Sequence, residues 1–116
     1  MRSVLIADDS PVARVSVARR VRAAGLDVVE QESAAGASAI DASSLSCALL
    51  DLELGDGDGT EVAERLRAAE GELPIAFFTS TRTPEILARA STFGPVFAKP
   101  DELDQAVDWV SRHGKL

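Results

Sequence analysis

The chain has no tyrosine, one tryptophan (Trp109), one cysteine (Cys47), one histidine (His113) and only four phenylalanines. A core drawn from the 46% hydrophobic residues must therefore be mainly aliphatic. A single cysteine forbids an internal disulfide and fits a reducing compartment, so the expected location is the cytoplasm. No apolar run approaches the roughly 20 residues of a membrane span, and the start, MRSVLIADD, meets acid too early for a signal peptide. Positive charge is also scarce. Nineteen acidic residues against twelve basic ones leave a net charge of −7 and exclude nucleic-acid or anionic-membrane binding through bulk charge. Internal repeats, linkers and low-complexity segments are absent from the 116 residues, which make one domain of ordinary size.

What is present centres on residues 46–59, SCALLDLELGDGDG. The apolar run Cys47–Leu50 ends abruptly at Asp51, as a buried strand does when it reaches a sheet edge. Residues 3–7, Ser-Val-Leu-Ile-Ala, run in the same way into Asp8-Asp9. Ser10 and Pro11 are an N-cap and first helical residue. The helix they open carries Val12, Val15, Ala18 and Val21 near helical spacing, with Arg14, Arg19, Arg20 and Arg22 mostly on its other faces, and stops at Gly25. A more polar edge strand is expected over residues 26–29, and Ser33 caps a short Ala-rich helix over 34–42. Asp58 and Glu61 have capping-box spacing for a helix over 60–69. Strand 75–78 ends at Thr79-Ser80; a short helix spans 85–91; strand 96–98 ends at Lys99-Pro100; a last helix spans 102–112. Trp109 lies off its main stripe, either at the core margin or on a partner surface, and His113 is expected to be solvated.

Five strands alternating with five helices predict an α/β fold, a doubly wound parallel sheet covered on both faces. Right-handed crossovers then bring every strand's carboxyl end to one edge. That edge collects Asp8, Asp9, Asp51, Thr79, Ser80 and Lys99. Three carboxylates together require a cation, and a hard divalent ion such as Mg²⁺ suits their oxygens. An aspartate beside such an ion can accept a phosphoryl group, while a hydroxyl and an ammonium hold phosphoryl oxygens. The chemistry read from the residues is metal-assisted phosphoryl transfer to Asp51. Other phosphate and metal motifs fail. No Gly-Lys-Ser/Thr follows the glycines at 55, 57 and 59, and an EF-hand read from Asp56 places Glu61 at its glycine and Arg67 at its final glutamate.

Asp8-Asp9, DLELGDGDG around Asp51, Thr79 and Lys99-Pro100, in this order, resemble the receiver domain of two-component response regulators across essentially the whole chain. The resemblance implies a flavodoxin-like sheet of order 2-1-3-4-5 in a single domain, 1–116, of the chemotaxis type, with no output domain. It implies that Asp51 is the phosphoacceptor for a histidine kinase or histidine phosphotransfer protein. Asp9, Asp51 and the Glu53 main-chain carbonyl would ligate Mg²⁺, with Asp8 acting through water. Lys99 would bind a phosphoryl oxygen and Thr79 would move to contact it. The implied output is a changed affinity for a protein partner, from a monomer or weak homodimer. Chemistry is confined to its own phosphorylation and dephosphorylation, so the chain is not expected to be an enzyme.

The sequence departs from the family at Val96, where receivers often carry an aromatic that swings inward, and at Gly55, where many have proline. The interval from Thr79 to Lys99 is about two residues short of the family's usual one, so the fourth helix is expected to be truncated or displaced. These departures keep open a second reading, an adaptor that binds partners without phosphorylation. A phosphatase with an aspartyl intermediate is disfavoured: Glu53 stands where such enzymes have a second aspartate, and a substrate cap is lacking. Glu53 and Thr81 flank the site and would tune its access to water. Cys47 is read as a core residue, Asp56 as a loop residue, and the helix-1 arginines as a solvated face or a docking patch.

Overall fold

The computed structural model describes residues 2–115. Its elements run β1 (Ser3–Ala7), α1 (Pro11–Ala23), β2 (Val28–Gln31), α2 (Ala34–Ser38), a 3₁₀ turn (Ala42–Ser44), β3 (Leu45–Leu50), α3 (Gly59–Ala69), β4 (Ile75–Thr79), α4 (Pro84–Ser91), β5 (Val96–Ala98) and α5 (Leu103–His113). All strand pairings are parallel, in the order β2-β1-β3-β4-β5. The doubly wound five-stranded sheet with five helices is thus the architecture expected from the alternation of elements.

Alternation along the strands divides the core in two. Leu5, Ala7, Ala48, Leu50 and Phe77 point to the face covered by α2, α3 and α4. Val4, Ile6, Cys47, Leu49 and Phe78 point to the other face, under α1 and α5. Full burial of each Val, Leu, Ile or Phe among them stabilises the fold by about 1.5–3 kcal/mol. Trp109 belongs to the second cluster and is a core residue rather than a partner-facing one. His113 is half-buried, stacked on Trp109 at a centroid separation of 4.3 Å, so the expected solvated position is corrected. One turn of helix brings the two rings together.

Local chemistry explains most boundaries. Ser10 accepts a hydrogen bond from the Ala13 N–H, Pro11 opens α1, and Gly25 takes a positive φ of 90° after it. Asp58 and Glu61 form the expected capping box of α3. β3 begins two residues earlier than expected. Its one early polar side chain, Ser46, is buried because its hydroxyl donates to the Ser3 carbonyl. β2 lies two residues later than expected, at the sheet edge, because its register with β1 pairs Val28 with Val4. α2 ends at Ser38, short of residue 42. Asp41 captures the Ser43 N–H and hydroxyl and starts a 3₁₀ turn in place of further helix.

The stripe expected on α1 needs a larger correction. Val17, Ala18 and Val21 are buried, whereas Val12 and Val15 are 82% and 42% exposed. A row spaced by three residues drifts around a 3.6-residue helix, by about 180° over its four members. Its two ends therefore cannot share one buried face. Among the described residues no helix is long and apolar enough to cross a membrane.

Candidate functional site

The carboxyl ends of β1, β3, β4 and β5 converge. Asp8 and Asp9 follow β1, Asp51 follows β3, Thr79 ends β4 and Lys99 follows β5. Asp8, Asp51 and Thr79 are buried and Asp9 is exposed. One carboxylate oxygen from each of Asp8, Asp9 and Asp51 lies within 4.8 Å of the others.

Lys99 pairs with two of these carboxylates, its one positive charge shared between them. Its Nζ donates to Asp8 Oδ2 at 2.7 Å and to Asp51 Oδ2 at 3.1 Å, and lies 5.6 Å above the Phe78 ring. Burial works against the ammonium, but hydrogen bonding and attraction from Asp8 and Asp51 outweigh it and raise the Lys99 pKa. Asp8 is also raised. Burial is its largest cause and Asp51's charge adds to it, outweighing Lys99 and the Ser10 N–H.

The loop after Asp51 is tied at several points. The Glu53 N–H donates to Asp51 Oδ1 at 3.4 Å, and Glu53 bridges to Asp58 across the loop. Gly59 packs directly behind Asp51: a Cβ there would sit 2.2 Å from the Asp51 carbonyl oxygen. The Glu53 carboxylate accepts a hydrogen bond from the buried Thr81 hydroxyl, and the Thr81 N–H donates to Thr79 Oγ1 at 3.2 Å. Thr79 is thereby connected to the loop of Asp51.

Two residues do more here than their types suggested. Asp56 accepts hydrogen bonds from the N–H groups of Ala34, at 2.7 Å, and Ala35, at 3.0 Å, pinning the Asp51 loop to α2. Arg14, grouped in the sequence with a solvated or docking face, turns inward and donates to the Asp8 carbonyl at 2.9 Å. Neither contact has a spacing signal: Asp56 meets α2 from 22 residues away, and Arg14 reaches a backbone carbonyl six residues before it, which any residue type supplies.

The oxygen-only donor set fits a hard divalent cation such as Mg²⁺. Val96 and Phe97 face opposite sides of the sheet, and a cavity of about 510 Å³ opens beside Thr79, lined also by Thr81, Leu87, Val96 and Ala98. α4 is short, eight residues, and Thr83 precedes it without a side-chain capping bond.

The response regulator receiver domain model matches residues 4–110. No curated protein matches the chain significantly. Among solved structures, the chain is similar to a signal receiver domain of a modulated diguanylate cyclase from Desulfovibrio desulfuricans G20, at 30% identity and TM-score 0.76, covering 97% of this chain and 94% of that one. It is also similar to the non-phosphorylated HemR receiver domain from Leptospira biflexa, at 21% identity and TM-score 0.85, covering 100% and 96%. A response regulator receiver protein from Sinorhizobium medicae WSM419 aligns at 21% identity and TM-score 0.81, covering 98% and 97%. The family match runs from within β1 to within α5 and covers well over half of the chain, and on that ground the chain belongs to the response regulator receiver domain family.

Proposed function

We propose that this receiver domain accepts a phosphoryl group on Asp51 in a Mg²⁺-dependent reaction and relays the signal by a changed affinity for a protein partner. The observation that carries the reading is the convergence of three carboxylates and one ammonium on a single sheet edge. The donor is a phosphohistidine of a histidine kinase or histidine phosphotransfer protein. An Asp51 carboxylate oxygen attacks phosphorus, an O–P bond forms, the donor's N–P bond breaks, and the bond's electrons leave with the imidazole.

Asp9, Asp51 and the Glu53 carbonyl would hold Mg²⁺, with Asp8 linked through water. When bound, the ion offsets the charge that spreads over the transferring phosphoryl oxygens. Lys99, already paired with Asp51, holds one of those oxygens. Thr79 supplies a hydroxyl, and its link through Thr81 to Glu53 connects occupancy of the site to the end of β4 and the segment after it. A phosphoryl group adds negative charge and biases the surface formed by residues 83–113 between two states. Chemistry stays on the chain's own Asp51, without turnover of a separate substrate.

A groove of about 250 Å³ beside Lys99 suits donor docking: it is lined by Val12, Val17, Phe78, Pro100 and Leu103. The exposed Val12 at its rim is a contact an apolar donor surface can bury. The second reading, an adaptor independent of phosphorylation, is favoured by the cavity at Val96, where no aromatic is available to follow Thr79 inward.

The test is intact mass after incubation with Mg²⁺ and acetyl phosphate. A gain of roughly 80 Da in the wild type and none in Asp51→Ala is expected. Absence of an adduct at every sampling time, with the protein folded, would favour the adaptor.

A further inference from the structure

We propose that Arg14 is a positioning residue for the metal-binding carboxylates, acting on the peptide plane between Asp8 and Asp9. This rests on the reading that the site takes Mg²⁺.

Arg14 differs from its neighbours on α1. Its side chain is 15% exposed, against 42% for Arg20 and 52% for Arg22. Its Nη1 donates to the Asp8 carbonyl at 2.9 Å while its Nε lies 3.3 Å from Glu30 Oε1. Glu30 is in turn held by Arg22 Nη1 at 3.0 Å. The guanidinium therefore joins the Asp8 backbone to the edge strand through two of its nitrogens, a separation that the planar fork of arginine holds rigidly and that a lysine would have to bridge from one flexible nitrogen.

The acceptor matters because a peptide unit is planar. The carbonyl of Asp8 and the N–H of Asp9 belong to one rigid plane that carries the Cα atoms of both carboxylates. Holding that carbonyl limits rotation of the plane. Asp8 is fixed besides: its N–H donates to the Gln31 carbonyl at 3.0 Å, Oδ1 accepts the Ser10 N–H at 2.9 Å, and Oδ2 accepts Lys99. The Asp9 side chain is exposed, so its direction depends on the backbone that Arg14 holds.

The sign of the effect separates positioning from charge. A guanidinium near a dication repels it, so removal of Arg14 through charge alone tightens Mg²⁺ binding. Loss of positioning weakens it, and outer groups that orient metal ligands influence affinity by about 10–100-fold.

The experiment is calorimetric titration of Mg²⁺ into wild type, Arg14→Ala and Arg14→Lys at fixed ionic strength, with circular dichroism to establish folding. Arg14→Ala is expected to raise the Mg²⁺ dissociation constant about tenfold, and Arg14→Lys by less. The Mg²⁺ concentration for half-maximal adduct formation should rise in parallel, while the yield at saturating Mg²⁺ recovers. Unchanged or tighter binding in a folded Arg14→Ala protein overturns the assignment. Should Arg14→Ala fail to fold, Arg14→Lys decides on the same terms: weaker binding supports the assignment and equal binding overturns it. No Mg²⁺ uptake by the wild type would instead overturn the metal reading itself, and this assignment with it.

Discussion

Lys99 Nζ approaches Asp8 Oδ2 to 2.7 Å across 91 residues of sequence, and the same nitrogen is 3.1 Å from Asp51 Oδ2. One ammonium thus joins the first, third and fifth strands of the sheet. Its removal leaves two buried carboxylates facing each other and an exposed third beside them. Lys99→Met is expected to destabilise the metal-free protein at neutral pH by about 3 kcal/mol, the range found when one partner of a buried pair is lost. Millimolar Mg²⁺ should restore part of it, since a cation again faces the carboxylates. Urea unfolding with and without Mg²⁺ measures both; an unchanged midpoint in the metal-free variant refutes the expectation.

Val12 is 82% exposed at the rim of the groove beside Lys99. Val12→Asp should therefore leave folding and acetyl-phosphate labelling near wild type. Transfer from the purified cognate kinase or phosphotransfer protein should slow about fivefold or more, as for an apolar anchor worth at least 1 kcal/mol. Equal slowing with both donors would place the defect in the site instead of the docking surface.

Asp58 caps α3, and its pKa lies below the ordinary 3.8. Burial opposes the charge, but hydrogen bonds from the Thr60 hydroxyl and the N–H groups of Glu61 and Thr60, with Arg89 nearby, outweigh it. A carboxylate lowered on folding contributes stability above its unfolded pKa, and that contribution is lost as pH falls through its folded one. Asp58→Ala is expected to cost about 1 kcal/mol at pH 7. The difference from wild type should shrink below about pH 4. Denaturation midpoints of both proteins across this range test the sign.

Cys47 is fully buried in the core beneath α1 and α5, and burial pushes its thiol up to about 12. The native protein should stay unreactive toward a disulfide reagent at pH 8, because the thiolate is the reactive form. One equivalent should react on unfolding in urea. Rapid native labelling would contradict the burial.

Gly59 lies against the Asp51 carbonyl. Gly59→Ala should displace the acceptor's backbone or the α3 N-terminus and lower the adduct yield with acetyl phosphate. A wild-type yield would show that α3 can shift without disturbing Asp51.

The strand ends were legible because their chemistry is local. An apolar run that stops at a carboxylate, as at Ala7-Asp8 and Leu50-Asp51, marks both a buried strand and the edge where it emerges. The cap at Ser10 and the capping box at Asp58 and Glu61 were legible for the same reason: each satisfies helix donors within three residues. Boundaries failed where strand register or a competing local turn chose them. β2 starts at Val28 because β1 sets its register, and α2 ends early because Asp41 offers the backbone a competing turn. On α1, spacing alone placed Val12 and Val15 inward, but only Val17, Ala18 and Val21 are buried.

The sequence by itself determined the alternation of strand and helix, that successive strand residues face opposite sides of the sheet, and the residue types gathered at the carboxyl edge. These follow from periodicity and chain direction, which act over a few residues. Tertiary structure alone decided that Lys99 bridges Asp8 and Asp51, that Arg14 turns from solvent to the Asp8 carbonyl, that Asp56 pins the Asp51 loop to α2, and that Thr81 links Thr79 to Glu53. Hydrogen bonds are short and directional. Which donor meets which acceptor is settled only when packing of the sheet and helices brings them within about 3 Å of each other.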